Sequence, residues 1–178
     1  MRFIITFSAL YIFIMLYVAC SSSNATQIEH IIILETDISN DRTHLNSIDI
    51  NKLNNNLKIA ELNLLKLEHK QLDSVSVELI YFQYRDYLNC INNIHTCIEE
   101  NNRLKKELET NTIQLSNIKL DYQISNKERL DLDTHLIHET KFVQETSKSI
   151  MALIEKMNNQ SEQFDSLNKN IENIINEN

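Results

Sequence analysis

LETNTIQLSNIKLDYQISNKERLDLDTHLIHETKFVQETSKSIMALIEKMNNQSEQFDSLNKNIENI, residues 108–174, is the stretch whose reading decides the fold. Counted in sevens from Leu108 it gives Leu115, Tyr122, Arg129, Leu136, Val143, Ile150, Met157, Phe164 and Ile171, apolar at every step but Arg129. Three residues after each comes a companion series: Asn111, Ile118, Ser125, Leu132, Glu139, Thr146, Leu153, Gln160, Leu167 and Ile174, half of it apolar. An apolar repeat averaging 3.5 residues keeps one stripe of a helix facing a neighbouring helix, with side chains packing as knobs into holes. The register extends backwards without a skip through Leu104, Asn101, Cys97, Ile94, Cys90 and Tyr87. The fold class is therefore all-α: long helices in an antiparallel hairpin or bundle, or in an extended coiled coil.

Upstream, Leu53, Leu57, Ala60, Leu64 and Leu67 alternate spacings of four and three. The stripe then slips by one residue to Leu72, Val75, Leu79 and Phe82, which reads as a stutter in the supercoil. Residues 26–49 form a short amphipathic segment with Ile28, Ile31, Leu34 and Ile38 on one face. It reads as ending near Ser39, Asn40 and Asp41, with Asp37 or Asp41 capping a new helix. Sustained two-residue alternation, the mark of strands, is missing.

The chain of 178 residues contains no glycine and no proline. Those two residues supply left-handed turns and rigid loop corners, and only long helices do without both. Two arrangements follow for residues 50–178, the helical coiled-coil region. One folds back near residues 88–97, where Asn92 and Asn93 tolerate turn geometry, and leaves a seam that self-associates. The other is a continuous rod of roughly 190 Å that pairs in parallel. The hairpin is the reading adopted. Asn101 at an inward position offers a register-setting role, and Glu139 and Gln160 weaken their layers, but the preferred reading is a long solvated coil that tolerates imperfect layers.

Residues 1–25, MRFIITFSALYIFIMLYVACSSSNA, place one positive charge before an apolar run and a small polar stretch. These are the parts of a secretory signal, with Ser23 and Ala25 set for a cut before Thr26. Tyr17, Val18, Ala19 and Cys20 followed by serines also resemble the lipobox of bacterial lipoproteins. That resemblance implies lipidation at Cys20 and a membrane-anchored envelope protein. Either way export is expected, and the membrane is touched only through this segment. Cys90 and Cys97 then face an oxidising compartment. Seven residues along a helix span roughly 10 Å, too far for a disulfide unless the helix breaks between them. Three states follow: bonded to each other across a break, bonded to a second chain, or reduced and buried.

A net charge of −8 argues against nucleic acid as a partner, because phosphate neutralisation needs a basic face. Arg103, Lys105 and Lys106 are the one tight basic cluster, and Glu99, Glu100, Glu107 and Glu109 surround it. Gly-rich phosphate loops and nucleophile elbows cannot be built without glycine. Asp131, His135 and His138 share a helix face and form a weak metal candidate, though the heptad places them on the surface. His30, His44, His69 and His95 are scattered. No catalytic residue, cofactor or firm metal site is expected, and Asn159 begins an N-glycosylation pattern with Gln160 and Ser161.

The composition thus points to a secreted, acidic, non-catalytic coiled-coil protein. It acts through protein–protein contacts, as a structural component or a secreted effector, and is expected to form homo-oligomers. Two alternatives stand beside this: a lipoprotein spacer anchored at Cys20, and a helical-bundle carrier of an apolar ligand.

Overall fold

The computed structural model describes residues 2–70, 74–124 and 129–176, with side chains described for 24–70, 77, 78, 80–124 and 130–176. The described chain is helical, in four elements: α1 Arg2–Asn46, α2 Ile50–His69, α3 Ser74–Ile124 and α4 Arg129–Asn176. It is an all-α bundle of long helices packed on one another. Residues 1–23 of the leader, Cys20 among them, lie outside the described side chains.

Two compact units divide the chain: Met1–Asn40 with Leu108–Ser147, and Asp41–Glu107 with Lys148–Asn178. In the first, Asn111 meets Thr146 and Tyr122 meets Asp133, so α3 and α4 run antiparallel. Asn24 reaches the Tyr122 carbonyl and Glu35 pairs with Lys119, so α1 opposes α3 as well. In the second unit, Lys52, Asn63 and Lys70 meet Asp165, Asn168 and Ile174 in rising order, so α2 and α4 run parallel. Tyr87 and Cys90 meet Asn168 and Gln160, so α3 and α4 are antiparallel here too. Each unit is a three-helix bundle.

The heptad stripe is the core. Tyr87, Cys90, Ile94, Cys97, Leu104, Leu108, Leu115, Tyr122, Leu132, Leu136, Val143, Ile150, Leu153, Met157, Phe164 and Ile171 are all buried. Ile118, Leu167 and Ile174 of the same stripe are half-buried. The side chains of Ser125 and Arg129 fall outside the described residues. Because the mate of each stripe is another helix of the same chain, the seam does not require a second molecule. That removes the physical ground on which self-association of an open seam was expected.

Three expectations change. α3 runs unbroken through residues 88–97, because the stripe from Tyr87 to Leu104 never changes register. The chain instead reverses between Lys70 and Ser74 and between Ile124 and Arg129. The first reversal also replaces both the rod and the stutter: Phe82 is 59% exposed, and Leu72, Val75 and Leu79 lie outside the described side chains. The N-terminal segment does not end at Asp41. α1 continues to Asn46, with Asp41 and Leu45 buried one turn after another. The cap falls at Asp49, whose carboxylate accepts the Lys52 amide at 2.9 Å, satisfying an N–H that the first turn leaves free.

α2 is the largest surprise. Its inward residues are Leu53, Asn56, Ala60, Asn63 and Leu67. Leu57 and Leu64, expected in the seam, are half-buried at its edge. The preference follows from what Asn63 meets, since the buried Asn56 amide nitrogen finds no partner among the described residues. Asn63 Nδ2 donates to Asn168 Oδ1 at 2.9 Å, and Tyr87 Oη donates to the same oxygen at 2.7 Å. Asn168 Nδ2 in turn donates to Glu172 at 2.9 Å. Such a network fixes one rotation of α2, because any other leaves buried polar atoms unpaired. Lys70 closes the end of α2 by donating to the Ile174 carbonyl and, at 3.2 Å, to Ile175, complementing the negative end of α4.

Candidate functional site

The surface feature with most chemistry lies at the start of α3. The side chains of Tyr81 and Phe82 are adjacent in sequence and meet edge to face, ring centroids 5.7 Å apart. The Arg85 guanidinium stands 5.2 Å from the Phe82 ring centre, one helical turn on, and also pairs with Asp86 at 3.1 Å. Tyr81 is 58% exposed and Val77 50%. A shallow apolar hollow of 210 Å³ opens beside them, between Leu67 and Glu68 of α2 and Val77, Ile80, Tyr81 and Tyr84 of α3. Aromatic and Arg side chains offer large, rigid contact areas, and they dominate the energetic centres of protein interfaces. Outward placement here follows from the heptad: position 87 faces inward, so positions 81 and 82 fall on the far side of the helix. The sequence carried a signal for this cluster, since Tyr81, Phe82, Tyr84 and Tyr87 are four of the chain's twelve aromatic residues.

Farther along the same α2/α3 face an open groove of 830 Å³ is lined by Leu57, Leu64 and Ile91 with Lys58, Glu61 and His95 on its walls. A third hollow, of 290 Å³, sits by the α1/α2 break between Ile48, Leu53 and Met157. All three are open to solvent.

Cys90 and Cys97 are both free thiols, buried on α3. The helix does not break between them, which excludes a bond to each other in this fold, and their burial takes them out of reach of a second chain. Cys90 Sγ donates to the Gln160 carbonyl at 3.7 Å. Burial pushes the Cys90 thiol up to about 11 and raises Cys97 as well, which keeps both protonated and poor nucleophiles.

Asp131, His135 and His138 are exposed on α4, and among the described residues no three or more His, Cys, Asp or Glu side chains converge as a metal site. Asn159 is exposed on α4. Arg103 of the basic cluster pairs with Glu107 and with Glu100 along its own helix. His30 shares a 3.0 Å hydrogen bond with Thr140.

Polar groups inside the first unit are also arranged. Tyr122 Oη donates to Asp133 at 2.6 Å, and Asn111 Nδ2 donates to Thr146 at 3.3 Å. Glu139 is 5% exposed, and burial raises its carboxyl above the ordinary value. The Gln114 amide, turned with its nitrogen toward α4, donates to both Glu139 oxygens at 2.8 Å. Among the described residues no helix is long and apolar enough to cross a membrane. No family model, no curated protein and no solved structure matches the chain at a significant level.

Proposed function

We propose that this is an exported, non-catalytic helical-bundle protein that works by binding other proteins. The observation that carries the reading is the exposed Tyr81–Phe82–Arg85 cluster beside its apolar hollow. A bundle that has filled its own core has no internal need for aromatic rings at more than half exposure. A partner surface supplies one, because burying a ring of this kind releases water from a large apolar area. Export rests on the leader sequence before Thr26.

The test has two arms. N-terminal sequencing and intact mass of the protein expressed with its own leader should give Thr26 as first residue; a lipid mass on Cys20 would instead make it an anchored lipoprotein. Retention inside the cell with Met1 intact would overturn export. Proximity labelling around the native protein, repeated with Tyr81→Ala and Phe82→Ala together, should lose specific neighbours while helicity stays constant. An unchanged set of neighbours would overturn the role of the cluster.

A further inference from the structure

Val77, Ile80, Tyr81 and Tyr84 stand at i, i+3, i+4 and i+7 on α3 and share one face of it. Leu67 and Glu68, in the last turn of α2, close the other side of the 210 Å³ hollow. Leu67 is buried and Ile80 and Tyr84 are half-buried, so the floor is largely apolar. Glu68 and Tyr81 are exposed, which puts a carboxylate and a phenol ring at the rim. Among the described residues Glu68 has no ion-pair partner. Arg85 does not supply one, because it lies against Phe82 and pairs with Asp86.

We infer that the hollow takes an arginine side chain of a partner protein. Its stem lies on Leu67, Val77 and Ile80, and its guanidinium meets the Glu68 carboxylate and the Tyr81 and Tyr84 rings. This names the residue that the protein-binding reading above calls for at this cluster, and it rests on that reading. Charge complementarity selects the occupant. An apolar side chain seated here would take water from the Glu68 carboxylate and return nothing, whereas a cation replaces what is lost. Tyrosine rings attract cations to their faces. Lysine's compact ammonium is strongly hydrated and lies poorly against an apolar floor. Guanidinium is planar, weakly hydrated and stacks on rings. The chain already makes such a contact within itself, with the Arg85 guanidinium 5.2 Å from the Phe82 ring centre. A net charge of −8 also draws cationic partners toward the surface.

Nuclear magnetic resonance of the purified protein, with methyl groups and tyrosine rings labelled, tests the proposal. The probes are N-acetyl-arginine amide, the matching lysine and leucine amides, and phosphocholine. Each is titrated to about 50 mM, where a contact made by one side chain is populated. The arginine probe should shift Leu67, Val77, Ile80, Tyr81 and Tyr84 together, and bind at least about threefold more tightly than lysine. Glu68→Gln should weaken arginine about 3–5-fold, the scale of an exposed ion pair, and leave leucine unchanged. Tyr81→Leu keeps the hollow apolar and should weaken arginine about 2–5-fold. Both positions are exposed, so helicity should stay constant. Leucine binding as tightly as arginine, or arginine indifferent to Glu68→Gln, overturns the inference and leaves protein binding intact, since the hollow would then seat an apolar anchor. Lysine binding equally well, or phosphocholine binding more tightly, overturns the choice of arginine. No shift at the hollow with any probe overturns the inference too, while the neighbour labelling decides the protein-binding reading separately.

Discussion

Asn101→Leu should make the protein more stable. Asn101 is 1% exposed at an inward position of α3, and its Oδ1 finds no hydrogen-bond partner among the described residues. A buried acceptor left without a donor costs about 1–3 kcal/mol of desolvation that nothing returns. Leucine removes that cost and adds apolar burial, while its slightly different shape takes back about 1 kcal/mol through strained packing. The net gain is about 2 kcal/mol. For a chain of this length each kcal/mol moves the midpoint by about 2–4 °C, so Tm should rise by about 4–8 °C. The assay is thermal and urea unfolding followed by far-ultraviolet circular dichroism, with mass in solution measured alongside. The rise should come without a change of mass, because the helices around position 101 belong to one chain. A midpoint that stays put or falls would refute the reasoning, since it would mean Asn101 is satisfied by a donor such as a trapped water.

The paired asparagine behaves oppositely: Asn63→Ala removes the donor to Asn168 and opens a void, and should cost about 1–2 kcal/mol in the same unfolding experiment. Glu139 binds its proton more tightly folded than unfolded, because burial disfavours its charged form. Its contribution is thus full below the ordinary carboxylate range and is lost as pH rises through the elevated folded value. Glu139→Gln should flatten that part of the pH–stability profile, and an unchanged profile would show that another group controls it. Cys90 and Cys97 should resist thiol reagents in native protein and react within seconds in denaturant, read by mass spectrometry; rapid native labelling would contradict their burial. Lys70→Ala should fray the last turn of α4, seen as faster amide exchange around Ile174 and Ile175.

Most of the stripe from Tyr87 to Ile171 coincides with buried positions, because side-chain spacing on a helix is fixed by its pitch, while Ile118, Gln160 and Leu167 are only half-buried. The turns were not legible. Helix ends usually announce themselves through glycine or proline, and this chain reverses direction without either, so Asn92 and Asn93 looked like the best break although the stripe around them was intact. α2 was misread for a different reason. Leucine at positions 57 and 64 gives as good a spacing as asparagine at 56 and 63, and hydrophobicity alone chooses leucine. The choice is reversed by Asn168 and Tyr87, some 105 and 24 residues away in the chain from Asn63 and not visible to local periodicity. Of the candidate surface, the aromatic cluster was present in the composition of one short segment. The groove became visible only once α2 had its rotation.

Among the described residues, the α1/α2 break at residues 47–49 included, no backbone angle enters the left-handed region. Each described peptide unit is thus one that any side chain except proline tolerates. Evolutionary restraint on such a molecule acts on the rhythm of greasy and wet positions, hardly at all on which amino acid keeps the beat. Kin are better sought by the cadence of the stripe and its few asparagines than by residue identity.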